Sequence, residues 1–188
     1  MIVSFKHDGI VWLGVDYELL IWTGMSQNDG SLEKNLSYWR AEGTINTMIA
    51  TSARPRDQDI IRYLPLIKEP LSLASLQLET IPEMKKVFER YGCLSKEGYF
   101  DDTFLVVDAT HIFEIDPHRL ATEYEDVHAS GTYALLCIET LQITKHLPPL
   151  DRFRHMISVL NEYRGRLSSR FHVFNLQTME KTILSVSS

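Results

Sequence analysis

The chain has 188 residues, 44% of them apolar and 23% charged, and a formal net charge of −6. That size and balance suit one globular domain spanning 1–188, and they exclude general nucleic-acid binding, which needs a basic face against phosphate. Two cysteines form no disulfide framework, and neither a cleavable leader nor a run approaching ~18 apolar residues is present, so a cytoplasmic protein without a membrane partner is expected.

The chain opens with a short β-prone run, Ile2 to Phe5. Asp8-Gly9 then reads as a hairpin turn. Ile10 to Val15 is apolar on both faces, as a buried central strand would be. Tyr17 to Trp22 is a candidate further strand, followed by a polar loop from Gly24 to Lys34. Asn35 to Ala41 and Thr44 to Thr51 complete the first group of strands. Pro55 to Leu64 predicts a helix, with Asp57 and Asp59 in its first turn. Pro82 opens a second helix over residues 83–91, which Gly92 stops.

Phe104 to Asp108 and His111 to Ile115 predict two strands joined by Ala109-Thr110. Asp116-Pro117 is a turn, and Leu120 to Val127 a third strand. Ser130-Gly131 opens an amphipathic helix that runs to about Lys145, with Ala134, Leu135, Ile138 and Leu141 on its apolar face. Asp151 caps a further helix through about Arg164. Phe171 to Leu176 and Thr182 to Val186 are closing strands. Grouped strands alternating with grouped helices argue for an α+β fold rather than a parallel βαβ sheet. A four-layer αββα sandwich, two stacked antiparallel sheets flanked by helices, uses every apolar face named.

Three stretches in this order carry a resemblance. They are Ile2 to Asp16, Met48 to Asp57 at the opening of the first helix, and Ile112 to Pro117 with Ala129 to Leu135. Together they resemble the proteasome β-type subunits and the related bacterial heat-shock peptidase, within the N-terminal-nucleophile hydrolases. In that family the first residue of the mature chain is a threonine. Its hydroxyl attacks an amide carbonyl, and its own α-amine is the base. An aspartate and a lysine tune the pair, and a backbone N–H before the first helix stabilises the oxyanion.

The resemblance implies a set of site residues. Asp16 matches the family aspartate, Lys34 the lysine, Ser130 a supporting serine and Ser168 a serine near the C-terminal strand. Lys34 also reads as a solvated loop lysine, and the plainer role of Ser130 is a helix N-cap. Aligned from Asp16, Met1 falls on the second residue of a mature active subunit, so no nucleophile is present. Ala50-Thr51-Ser52 stands where the family has a glycine, and Gly165 where it has an aspartate. The expectation is a structural or binding homo-oligomer, a ring being one form, without threonine-peptidase activity. The alternatives are an active amide hydrolase of the same fold, reached by processing or another nucleophile and acting on a peptide or amide substrate, and an unrelated α+β binding domain.

No cofactor or metal is implied. The seven histidines lack metal-ligand spacing. Cys137 sits among Leu135, Leu136 and Ile138 and reads as a buried structural thiol, while nothing in the sequence lowers the pKa of Cys93. The carboxylates Asp101, Asp102, Glu123, Glu125 and Asp126 read as solvated strand edges.

Overall fold

The computed structural model describes residues 1–16, 36–40, 46–51, 60, 71–164 and 170–185. The candidate strand at Tyr17 to Trp22, the polar loop after it and most of the Pro55 to Leu64 helix lie outside the described residues. Among the described residues, ten strands form two five-stranded antiparallel sheets. The first sheet has the order β10-β9-β2-β1-β8, built from β1 (Ile2–His7), β2 (Ile10–Asp16), β8 (Val127–Ser130), β9 (Arg170–Asn175) and β10 (Glu180–Ser185). The second is β3-β4-β5-β6-β7, built from β3 (Leu36–Arg40), β4 (Asn46–Thr51), β5 (Phe104–Val107), β6 (Ile112–Ile115) and β7 (Ala121–Tyr124).

The expected four layers are present, and three apolar clusters join them. Between the sheets, Ile2, Val11, Leu13 and Val15 meet Met48, Ala50, Leu105, Val107 and Ile112. The other face of the second sheet packs Ile49, Phe104, Val106 and Phe113 on Ile81, Met84 and Phe88. The other face of the first sheet packs Val3, Phe5, Phe171 and Val173 on Cys137, Leu141, Phe153 and Met156. Strand alternation sends successive residues to opposite faces, so one strand feeds two cores. Gly14 faces the helices, where a Cβ would lie 2.4 Å from both the Phe153 and Phe171 rings. The hairpin joining β1 to β2 turns on Asp8 at φ 52° and Gly9 at φ 78°, the positive pair that a twisted two-residue hairpin requires.

Four expectations need correction. The helix placed after Pro82 begins earlier. A turn of α-helix, α1 (Leu73–Ser75), leads into a π-helical segment at Leu76–Thr80 and then α2 (Ile81–Arg90). Ser72 and Ser75 cap each other reciprocally at its start. Pro82 has no N–H to give, and the widened π turn just before it accommodates that loss inside a continuous helix.

The strand expected over Leu120 to Val127 is two strands in different sheets. β7 ends at Tyr124 and β8 starts at Val127, and Lys6 N–H donates to Asp126 O (2.7 Å) at the crossing. Glu125 and Asp126 at the crossing are both exposed and break the apolar–polar alternation there, so the acidic pair marks the change of sheet. The helix expected to open at Ser130 is α3 (Ala134–Ile143), capped at Tyr133, and Ser130 ends β8. It buries Cys137, Thr140 and Leu141, while Leu135 is 69% exposed. Because α3 is apolar almost all round, its period does not select a face. The Thr140 and Thr144 hydroxyls bond back to Leu136 O and Thr140 O (2.7 Å each), which lets them sit in an apolar layer. The last helix, α4 (Pro149–Arg164), starts two residues before Asp151, with Pro149 in its first turn.

Candidate functional site

The start of the chain lies at the end of the first sheet where β1, β2 and β8 come together. The β1–β2 register pairs Ile2 with Val15, and Asp16 N–H donates to Met1 O (3.0 Å). Met1 therefore stands opposite Asp16, which is buried. On the other side, Ile2 pairs with Ser130. The next residue, Gly131, has φ +114°, and a Cβ there would lie 3.3 Å from Met1 Cα and 4.0 Å from Met1 N. The glycine is required for the backbone to approach the chain start this closely.

The Met1 side chain turns into the helix-side core of the first sheet, where the residue is 8% exposed. Its thioether accepts from the Cys137 thiol, Sγ to Sδ 2.9 Å. Burial pushes the Cys137 thiol up to about 12. The N-terminal amine pulls in the opposite direction, and Asp16 adds to the rise. An amine, a carboxylate and a thiol thus share one corner, and the thiol is held protonated there.

In the structure Met1 stands beside Asp16, and Ser130 pairs with the neighbouring Ile2. Lys34, Ser168 and Gly165 lie outside the described residues. Thr51, at the end of β4, is buried and donates to Thr103 O (2.9 Å). Ser52 and the backbone after it lie outside the described residues. Cys137, expected to be a buried structural thiol, is buried and lies at this corner against Met1, a contact that no local sequence pattern marks.

Two further polar groups were not anticipated. Arg152 is 2% exposed, with its guanidinium 3.8 Å from the centre of the Phe5 ring. It donates to Leu141 O (2.7 Å) near the C-terminal end of α3 and to Lys6 O (3.4 Å), tying α4 to α3 and β1. At the β5–β6 hairpin, Asp108, Thr110 and His111 resemble a catalytic triad by residue type. Asp108 Oδ1 instead accepts Thr110 N–H and His111 N–H (2.7 Å each), which is turn chemistry. Thr110 Oγ1 and Asp108 also approach the same imidazole nitrogen, Nδ1, whereas a triad base needs the two on opposite nitrogens. Among the described residues, no group of three or more His, Cys, Asp or Glu is placed to hold a metal. No described helix is long and apolar enough to cross a membrane.

The sequence matches no protein-family model and no curated protein. Its structure is similar to solved proteasome-type proteins. Anbu, the ancestral β-subunit from Yersinia bercovieri, has a TM-score of 0.66 at 12% identity, over 100% of this chain and 88% of that one. The helical assembly of the Anbu complex from Pseudomonas aeruginosa has a TM-score of 0.66 at 11% identity, over 100% and 87%. Eukaryotic HslV from Trypanosoma brucei has a TM-score of 0.57 at 10% identity, over 98% and 99%. The fold is that of the N-terminal-nucleophile hydrolases, in its proteasome-type form. At these identities the likeness is one of fold.

Proposed function

We propose that this is a proteasome-subunit-like protein without threonine-peptidase activity, acting in the cytoplasm as a structural or binding homo-oligomer. The observation that carries this reading is the placement of Met1. It stands opposite Asp16 in the hairpin register, and its side chain fills the apolar layer against Cys137. A thioether buried there offers no attacking oxygen or thiolate.

Two nearby groups are no substitute. The Cys137 thiol is fully buried and pushed up to about 12, whereas a nucleophilic cysteine needs an accessible thiolate at neutral pH. Ser4 is fully buried on β1, and its hydroxyl has no partner to take its proton. Asp16, Ser130 and Gly131 then act as a frame that packs the chain start.

Self-association is favoured by apolar side chains on the outer side of the helical layers. Ile143 on α3 is 75% exposed and Tyr163 on α4 is 74% exposed, while Leu78 lies exposed on the opposite layer. The solved Anbu complex from Pseudomonas aeruginosa is a helical assembly.

Intact mass and N-terminal sequencing of the native protein test the inactive reading. A chain starting at Met1 or Ile2 supports it. A threonine, serine or cysteine at position one supports the active amide hydrolase instead. Sedimentation velocity tests the oligomer. Ile143→Glu with Tyr163→Glu should lower the assembled mass, and a wild-type monomer at micromolar concentration would remove the structural-oligomer reading.

A further inference from the structure

Two sulfurs from distant parts of the chain meet in the helix-side layer of the first sheet. Met1 Sδ, just before β1, lies 2.9 Å from Cys137 Sγ in the first turn of α3. Both residues belong to an apolar cluster with Val3, Ala129 and Leu141. The Met1 α-amine and the Asp16 carboxylate are close enough to act on the Cys137 thiol, in opposite senses. Gly131 leaves room on the backbone side, where a Cβ would come within 3.3 Å of Met1 Cα. A thioether and an α-amine fall outside a count of His, Cys, Asp and Glu ligands, so such a count passes over this corner.

Thioethers are weak ligands for hard cations such as Mg²⁺ and Ca²⁺, while thiolate and thioether together select Cu(I). We propose that Met1 and Cys137 form a binding site for a soft monovalent cation of the Cu(I) class, held between the Cys137 thiolate and the Met1 thioether. The inference deepens the functional reading above and rests on it, since it needs Met1 to stay at the head of the chain and gives the packed chain start a ligand.

Charge favours a monovalent ion. A thiolate and a single positive charge make a neutral unit, which an apolar layer accepts, whereas a divalent ion leaves a net charge to bury. Binding releases one proton, from the Cys137 thiol to solvent, and moves no electron. Burial otherwise keeps that proton in place, so binding strengthens as the pH rises. Metal–sulfur bonds of about 2.3 Å require the two sulfurs to separate by roughly an ångström. Met1 is the side that yields, because its side chain is unbranched with three rotatable bonds and reaches the surface, whereas Cys137 is fully buried on a helix.

Titration of the full chain with Ag(I), a redox-inert stand-in for Cu(I), tests this once intact mass has shown Met1 in place. Cys93→Ser, which removes the other buried thiol, should bind one equivalent, and X-ray absorption should find two sulfur neighbours around the silver. Cys137→Ala should bind at least about 100-fold more weakly, since even outer-shell partners of a metal carry roughly 10–100-fold. Zn(II) at the same concentration should not displace the silver. Equal binding in Cys137→Ala, displacement by Zn(II), or fewer than two sulfur neighbours overturns the site and leaves an adventitious ion only. If Cys137→Ala does not fold, the sulfur count in Cys93→Ser decides. No binding with Met1 in place removes this inference alone, as does a native chain starting at Ile2. A threonine, serine or cysteine at position one removes the functional reading as well.

Discussion

Two corners of this molecule gather reactive residue types, and they mean opposite things. The β5–β6 hairpin brings a threonine, a histidine and an aspartate within hydrogen-bond distance of one another, yet it is a turn held by backbone donors. The chain start gathers a methionine, an aspartate, a serine and a buried cysteine, a set that suggests no chemistry by composition. Nevertheless it occupies the end of the first sheet where β1, β2 and β8 meet. Residue type alone points to the first corner, and topology points to the second. The difference also shows in how each is held. The hairpin's side-chain bonds all come from neighbours within four residues, with one backbone bond from Val11 N–H to Ala109 O (2.9 Å), whereas the chain start depends on two sheet ladders and a helical layer.

The contrast predicts a graded response to substitution. Gly14→Ala acts next to the chain start, opposite Val3 in the β1–β2 register, and on the same packing. Its methyl would collide with the buried Phe153 and Phe171 rings, and we expect a loss of about 3 kcal/mol in chemical denaturation. A loss near zero would show that the helical layer adjusts and does not fix this corner. Gly131→Ala combines a strained positive φ with a close approach to Met1 and should cost about 2 kcal/mol. N-terminal labelling of its α-amine should also become faster.

Asp108→Ala removes the acceptor for two backbone donors and should cost about 1.5 kcal/mol. N-terminal labelling should not change in that variant, because the hairpin belongs to the other sheet. A changed labelling rate would join the two corners and break the comparison. The smallest effect is the pH response of Cys137. Its native thiol is pushed up to about 12, so its contribution is fully present below the unfolded thiol value of about 8.5 and is lost as the pH rises above it. Cys137→Ala should flatten the alkaline arm of the stability curve relative to wild type.

Much of the fold was legible because its strands announce themselves. Asp8-Gly9 demanded a hairpin, and Ile10 to Val15 is apolar on both faces because it faces two cores. The misread elements share a physical cause, which is local pattern without tertiary context. The change of sheet falls at Glu125-Asp126, where two successive polar residues interrupt the alternation, a break that a reading of Leu120 to Val127 as one strand ran through. Pro82 resembles a helix start because the π turn that accommodates it is not a sequence pattern. Of the site, the resemblance named Asp16, Ser130 and Met1, and the β1–β2 and β1–β8 registers set them near one another. Cys137 was not placed there, because its partner is the thioether of a residue 136 positions away. Arg152 was equally hidden, since charged residues are seldom fully buried and its partners are backbone carbonyls and a ring face.

The central claim is that the chain start is packed rather than reactive. Incubating the native protein with an electrophile that captures N-terminal threonines, and then measuring its intact mass, tests this directly. The account predicts an unchanged mass. A stable adduct localised to the first residue would contradict it and would establish an active N-terminal nucleophile.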